Sequence, residues 1–387
     1  MSNFLISVFV KDKNPDTPFG RYCYGRLCGW VGIFLNILLV IIKVFIGYIT
    51  GSISVISDAL NNLSDAGSSV ITLAGFKISV MPADEKHPYG HGRFEYLSSF
   101  AIALAIIFIG IEFVKTSVLK IINPTEIHFS WVAVAVLLIS SLFKLWLALF
   151  NRKVGKIIKS GTLTAVYADS ISDMVTTTVI AISLVIYKVT GLPIDGYLGT
   201  LVSFYVIFSG VVALKNTIDE LLGKPPSKEV VHLISDKIRS YPGIVGVHDL
   251  IIHEYGPGRC FVTAHAEVSS DTDIMESHDL VDIIERELKN EYGYNVTLHM
   301  DPIITNDEKI NGARKMVEDI VKEVEPTLGI HDFRMVEGPK HTNLIFDVEM
   351  PYSVDKTHDE ITDLITEKIR KKDKKYYTVI TVDRNYI

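Results

Sequence analysis

Residues 52–69 read SISVISDALNNLSDAGSS and residues 165–173 read AVYADSISD. Each lies inside a long apolar stretch yet carries carboxylates or carboxamides: Asp58, Asn61, Asn62 and Asp65 in the first, Asp169 and Asp173 in the second. Working outward with a window of roughly 19 residues, apolar stretches fall at 29–50, 54–80, 96–121, 128–150, 161–189 and 194–215. A span needs roughly 20 apolar residues, so the pattern predicts six transmembrane helices. The two polar spans are expected to face protein or water rather than lipid, because ionisable groups in hydrocarbon are costly. Composition agrees. Of 387 residues, 48% are hydrophobic and 21% charged, and the mean hydropathy is +0.29, a balance that predicts a membrane domain joined to a soluble one.

Orientation follows from the loops. Lys11, Lys13, Arg21 and Arg26 precede the first span, Lys86 and Arg93 lie between spans two and three, and Arg152, Lys153, Lys156 and Lys159 between four and five. The positive-inside rule makes those loops cytoplasmic. The opposite loops, near Gly51, from Asn123 to His128 and from Thr190 to Asp195, carry few basic residues, and an even span count leaves both termini in the cytoplasm. The N-terminal MSNFLISVFVKDKN has no basic n-region or small-residue cleavage site, and reads as a cytoplasmic arm rather than a signal peptide. The net charge of −7, with no lysine/arginine stripe, argues against a nucleic-acid partner. Cys23, Cys28 and Cys260 form neither a disulfide framework nor a CxxC site.

From about residue 220 the chain turns charged and alternating, and repeats itself. PGIVGVHDLIIHEYGPGRCFVTAHAEV at 242–268, a helix and YNVTLHMDP at 294–302 are echoed by EPTLGIHDFRMVEGPKHTNLIFDVEM at 325–350, a helix and YYTVITVDR at 376–384. Each unit reads helix, strand, strand, helix, strand, with GPG at 256–258 and GPK at 338–340 where hairpin turns are needed. The expected fold class is therefore six transmembrane helices followed by tandem α+β (αββαβ) domains. The expected boundaries are an arm at 1–25, a transport domain at 26–218, a first soluble domain at 224–302 and a second repeat at 303–387.

Asn61 and Asp65 are four residues apart, as are Asp169 and Asp173, so each pair shares a helix face. Two such faces turned together make an oxygen cage. The acids could instead pair with lysines, but the basic residues within spans are few, chiefly Lys43 and Lys144, and unpaired carboxylates in hydrocarbon point to a cation. Hard oxygen donors without His or Cys suit Mn²⁺ or Mg²⁺, and Fe²⁺ less well, with Asn62, water or a backbone carbonyl completing the shell. Once the ion leaves, mutual repulsion favours protonation, so protons can take its place. No GxxxxGK[ST] loop is present for ATP. Asp355-Lys356-Thr357 is followed by His358 and has no large catalytic domain around it, so it is read as coincidence.

SISVISDALNNLSDAGSS, PADEKHPYGHGRFE at 82–95 and AVYADSISD together resemble the signatures of the cation diffusion facilitators, homodimeric metal/proton antiporters. The resemblance covers about 20–302. It implies a transport site at Asn61, Asp65, Asp169 and Asp173, a set similar to the manganese-exporting branch. It implies a second site at Asp84, His87 and His91 in the loop, and a third in the first soluble repeat at His248, His265, His278, His299 and Asp301, where zinc members bind a pair of ions between subunits. In the second repeat His331 and His358 persist, while Asp347, Thr381 and Asp383 replace the rest, which suggests a dimerisation or scaffolding lobe with an oxygen-rich site. Arg93 corresponds to a basic residue that meets an acid at the end of span six; here that position is Gly223, with Asp219 or Glu220 one turn earlier.

The expected function is a secondary active transporter, not an enzyme: a homodimer in the plasma (inner) membrane, exporting Mn²⁺ in exchange for protons. It would hold no prosthetic group, with Mn²⁺, Zn²⁺ or Fe²⁺ as substrate and regulator. The alternatives are the same transporter with Zn²⁺ or Fe²⁺ as cargo, a channel, or a membrane-anchored metal sensor or adaptor.

Overall fold

The computed structural model describes residues 2–15, 17–50, 53–123, 129–192 and 194–385. The loops expected near Gly51 and at 124–128 lie outside them. The chain divides into two compact units, Met1–Lys224 with Tyr255–Gly258, and Pro225–Glu254 with Arg259–Ile387.

The first unit is helical: α1 Ser2–Phe9, α2 Pro18–Thr50, α3 Ile53–Ser79, α4 Phe94–Ile122, α5 Trp131–Ile157, α6 Gly161–Thr190 and α7 Asp195–Leu222. Local chemistry sets the ends. Pro18 opens α2, where its missing N–H costs nothing. Ser130 and Ser160 cap α5 and α6 by accepting the N–H groups of Ala133 and Leu163, and Gly191 stops α6 at φ 73°, a left-handed conformation that favours glycine. The boundary expected at residue 25 falls inside α2. Helix continues through it because Cys23, Tyr24, Leu27 and Cys28 bury against Phe76, Phe150, Val154 and Leu163, with Val10 in the same cluster. At Gly25 a Cβ would stand 2.2 Å from the Phe76 ring, so only glycine admits that approach.

Five helical stretches among the described residues are long and apolar enough to cross a bilayer: Pro18–Ile46, Phe94–Ile122, Trp131–Ile157, Gly161–Thr190 and Asp195–Leu222. Six were expected. α3 has 27 residues but falls outside this set because its inward stripe is polar. Asp58, Asn62, Asp65, Ser69, Thr72 and Phe76, spaced alternately four and three apart, are all buried, the period of a helix packed against neighbours. Outward positions elsewhere are apolar, as at Phe34, Leu142, Leu201 and Phe208.

The second unit holds α8 Lys228–Arg239, β1 Ile244–Glu254, β2 Cys260–Ser269, α9 Ile274–Tyr292 and β3 Asn295–Ile303, then α10 Glu308–Val324, β4 Gly329–Glu337, β5 Thr342–Pro351, α11 His358–Lys372 and β6 Tyr376–Asn385. It forms two three-stranded sheets, ordered β1-β2-β3 and β4-β5-β6. In each, the first pair is antiparallel and the second parallel, the parallel pair requiring a crossover that α9 and α11 supply. Each repeat has its own core, Ile234, Ile284 and Leu288 against Val262 and Ala264 in one, Val317, Ile361, Ile365 and Ile369 against Leu344 and Phe346 in the other.

Candidate metal centres

Within the helical unit, α3, α5 and α6 converge on a group of acids. Carboxylate oxygens of Asp65, Asp169 and Asp173 lie within 4.8 Å of one another; Asp65 and Asp169 are buried and Asp173 is half-buried. Asn61 is exposed, whereas Asn62 lies on the buried stripe with its amide nitrogen unpartnered among the described residues. The lysine pairing that the sequence left as the alternative is there beside the acid cluster. Lys144 of α5, 1% exposed, donates to Asp65 and, at 2.9 Å, to Asp173. Lys43 of α2 pairs with Asp58 at 2.5 Å, and Asp58 also accepts from Thr177 of α6. A lysine's long stem lets it reach acids on two other helices, contacts that one-dimensional spacing cannot register. With the three carboxylates ionised, one ammonium leaves two negative charges, the complement of a divalent cation.

A second buried network joins α2, α4 and the start of α6: Arg21 pairs with Glu95 at 2.9 Å, and Glu95 accepts from Ser160 at 2.6 Å. Sequence reasoning had read Arg21 only as a positive-inside charge.

The loop after α3 assembles Asp84, His87 and His91, their ligand atoms within 4.8 Å. Asp84 Oδ1 accepts the backbone N–H groups of His87 at 2.7 Å and Lys86 at 2.9 Å. Its two oxygens stand 3.3 Å from His87 Nδ1 and 3.4 Å from His91 Nε2. The His87 N–H is the main cause holding the Asp84 carboxyl below the usual carboxylate range, with the Lys86 N–H and both imidazoles adding to it.

In the first αββαβ repeat, strand register aligns three histidines: His248 of β1 opposite His265 of β2, and His265 beside His299 of β3. Asp301, two residues on from His299 and so on the same face, lies 2.8 Å from His265 Nδ1, 3.2 Å from His248 Nε2 and 3.4 Å from His299 Nε2. His278 of α9 is exposed and shares with His299 a pocket of about 280 Å³ that Asp282 and Glu285 also line. Asp249 is an addition to the expected set. The ladder shifts register between His248 and Ile251, Asp249 adopts φ 49°, and such a bulge re-aims a side chain. Its carboxylate lies 3.3 Å from His248 Nδ1 and 3.9 Å from His265 Nδ1. Burial alone would lower the His248 imidazole, but the bond to Asp249 and the charges of Asp249, Glu267 and Asp301 outweigh it and raise it. The His248 bond in turn is the main cause holding Asp249 below the ordinary range. The signal was the His-Asp pair at 248–249, repeated at 331–332.

Apolar helices long enough to span a bilayer, enclosing a small acidic cluster and followed by a charged α+β unit, are the layout of an integral-membrane protein that handles cations. Residues 29–222 match the cation efflux transmembrane domain, and residues 226–303 the cytoplasmic domain of cation efflux proteins. The chain is 35% identical over 255 residues to an uncharacterized transporter of Methanocaldococcus jannaschii, covering 66% of this chain and 90% of that protein. It is 26% identical over 287 residues to the cation-efflux pump FieF of Escherichia fergusonii, and 27% to that of Salmonella newport, covering 72% of this chain and 94% of each pump. The chain belongs to the cation efflux family, the cation diffusion facilitators, whose substrates are divalent metals. Both matched domains end before residue 304.

Proposed function

We propose that this chain is a proton-driven antiporter that exports a divalent metal, Mn²⁺ foremost, from the cytoplasm across the plasma (inner) membrane, as a homodimer. The observation that carries the reading is the cluster of Asp65, Asp169 and Asp173 on two different helices, an all-oxygen set suited to a hard cation. Zn²⁺ and Fe²⁺ are the alternative cargoes. In this reading α3 also spans, bringing the count to six, and both termini are cytoplasmic; its buried polar stripe, which meets Lys43 of α2, Lys144 of α5 and Thr177 of α6, supports that placement, since only a protein-facing span tolerates it.

Asp65, Asp169 and Asp173 hold the ion, with an asparagine of α3 completing the shell; Asn61 is the position implied by family resemblance, and burial favours Asn62. The arriving cation displaces Lys144 from Asp65 and Asp173. On release, protons and the Lys144 ammonium neutralise the carboxylates again, so the helices return without an unpaired charge in hydrocarbon. Rocking of α3 and α6 against the other helices would open the site to each side in turn. Asp84, His87 and His91 form a staging or regulatory site, and His248, His265, His278, His299 and Asp301 a regulatory site in the cytoplasmic unit.

The test is flux into sealed proteoliposomes with an acidic interior, following Mn²⁺ and Zn²⁺ separately beside a pH dye. Mn²⁺ entry coupled to proton exit, and lost in Asp173→Ala, is expected. Zn²⁺ entry with little Mn²⁺ would transfer the reading to zinc, and no metal-linked flux would leave the sensor in its place.

A further inference from the structure

The two repeats of the second unit meet through polar side chains. Arg314 of α10 reaches Glu267 of β2 at 3.4 Å. His331 of β4 stacks on His248 of β1, ring centroids 4.2 Å and planes 26° apart. His331 is 5% exposed, yet among the described residues neither of its ring nitrogens has a hydrogen-bond partner. A buried polar group left unsatisfied costs about 1–3 kcal/mol, so such a group calls for a ligand.

Two carboxylates face it from different repeats. Asp249 Oδ1 is 3.8 Å from His331 Nε2, and one ligand atom each of Asp249, His331 and Asp383 of β6 lie within 4.8 Å of one another. A separation of 3.8 Å is too long for a hydrogen bond. It suits two atoms bound to one ion, since ligands at roughly 2.1 Å from a metal stand up to about 4.2 Å apart. Burial, with the charges of Asp249 and Asp347, pushes the Asp383 carboxyl above its ordinary range, as expected of an acid in a patch of excess negative charge.

We propose that Asp249, His331 and Asp383 form a divalent-cation site that clamps the second repeat onto the first. One imidazole nitrogen and two carboxylates suit a first-row ion such as Mn²⁺, Fe²⁺ or Zn²⁺.

The repeat makes this site single. Asp332 occupies in β4 the bulge position that Asp249 occupies in β1, with φ 52° and the same register shift. Asp332, however, is tied to Arg334, whose Nε donates to its Oδ1 at 3.1 Å. The corresponding position in β1 is Ile251, so no arginine holds Asp249 there: its Oδ2 bonds His248 and its Oδ1 faces His331 of the other repeat. The inference does not depend on the transport reading, since all three residues belong to the second unit.

The test is hydrogen exchange by mass spectrometry on the full chain in detergent, with chelator and with Mn²⁺ or Zn²⁺ at roughly ten times the dissociation constant. Residues 329–337 and 376–385 should gain about tenfold protection in the wild type and in Asp332→Asn. The gain should vanish in His331→Gln and in Asp383→Asn, while chelator-state protection of α11 stays at the wild-type level. No metal-dependent protection of those strands in the wild type overturns the proposal. So does an undiminished gain in Asp383→Asn or in His331→Gln, either of which alone suffices.

Discussion

The Lys144 ammonium lies 2.9 Å from Asp173 Oδ2 on α6 while donating to Asp65 on α3. One side chain of α5 thus bridges, from inside the protein, two of the three acids to which a divalent cation would bind, offsetting one of their three charges. A tethered cation and a mobile one compete for the same oxygens.

That competition makes Lys144→Gln informative. Removing the ammonium leaves the carboxylates to the metal, so binding should tighten by at least about tenfold, roughly 1.4 kcal/mol, while turnover falls because release loses its replacement charge. Isothermal titration and proteoliposome flux on the same preparation read both. Looser binding would show that Lys144 shapes the site rather than competing for it.

Asp65→Ala and Asp173→Ala each remove one carboxylate from a three-carboxylate cluster. Efflux should be abolished in both while circular dichroism retains the helical content. Unimpaired efflux in either variant would remove that carboxylate from the transport site.

The loop site depends on Asp84, which orders its own turn through the N–H groups of Lys86 and His87. Asp84→Ala should weaken metal binding at that loop by at least about tenfold, since a hydrogen-bonded ligand and its preorganisation go together. Asp84→Asn, which keeps one acceptor oxygen, should lose less. A spectroscopic Co²⁺ titration distinguishes the two.

The His248–Asp249 pair predicts a pH window in chelator-treated protein. His248 is raised, so its contribution is complete below the unfolded value near 6.5 and is lost as pH rises through the folded one. Asp249 is lowered, so its contribution is complete above about 3.9 and is lost as pH falls through the folded value. Stability of the second unit should therefore carry a plateau from about pH 4 to 6.5 that Asp249→Asn removes, as thermal unfolding across pH would show.

Thr357 caps α11 reciprocally with Glu360, a complete capping box. Thr357→Ala should destabilise the second repeat by about 1 kcal/mol, seen as a lower melting temperature for the second unit with flux unchanged.

Much of this was legible in one dimension, and the misses are specific. Apolar runs marked six spans, of which five are apolar enough to cross among the described residues, and the four-residue spacing of Asp169 and Asp173 marked one helix face. Spacing could not choose between Asn61 and Asn62, because the buried stripe of α3 advances by three as well as four residues and only packing against the neighbouring helices, α2 foremost, selects the phase. The sequence named Lys43 and Lys144 as the candidate basic partners but could not show that they reach acids on other helices. The aspartate of the His-Asp pair was overlooked because an alternating strand would turn it away from His248, and only the bulge at φ 49° brings it back.

The sequence by itself determined the family, the order of helices and strands, and the stock of oxygen and nitrogen donors, because these follow from local hydropathy, turn chemistry and motif. The sequence already grouped Asp65 with Asp169 and Asp173; tertiary structure alone decided that Lys144 sits on two of them and that Asp249 meets His331 and Asp383. Those groupings join residues far apart in the chain, and they depend on helix rotation, strand register and one positive dihedral, none of which is a property of any single stretch of sequence.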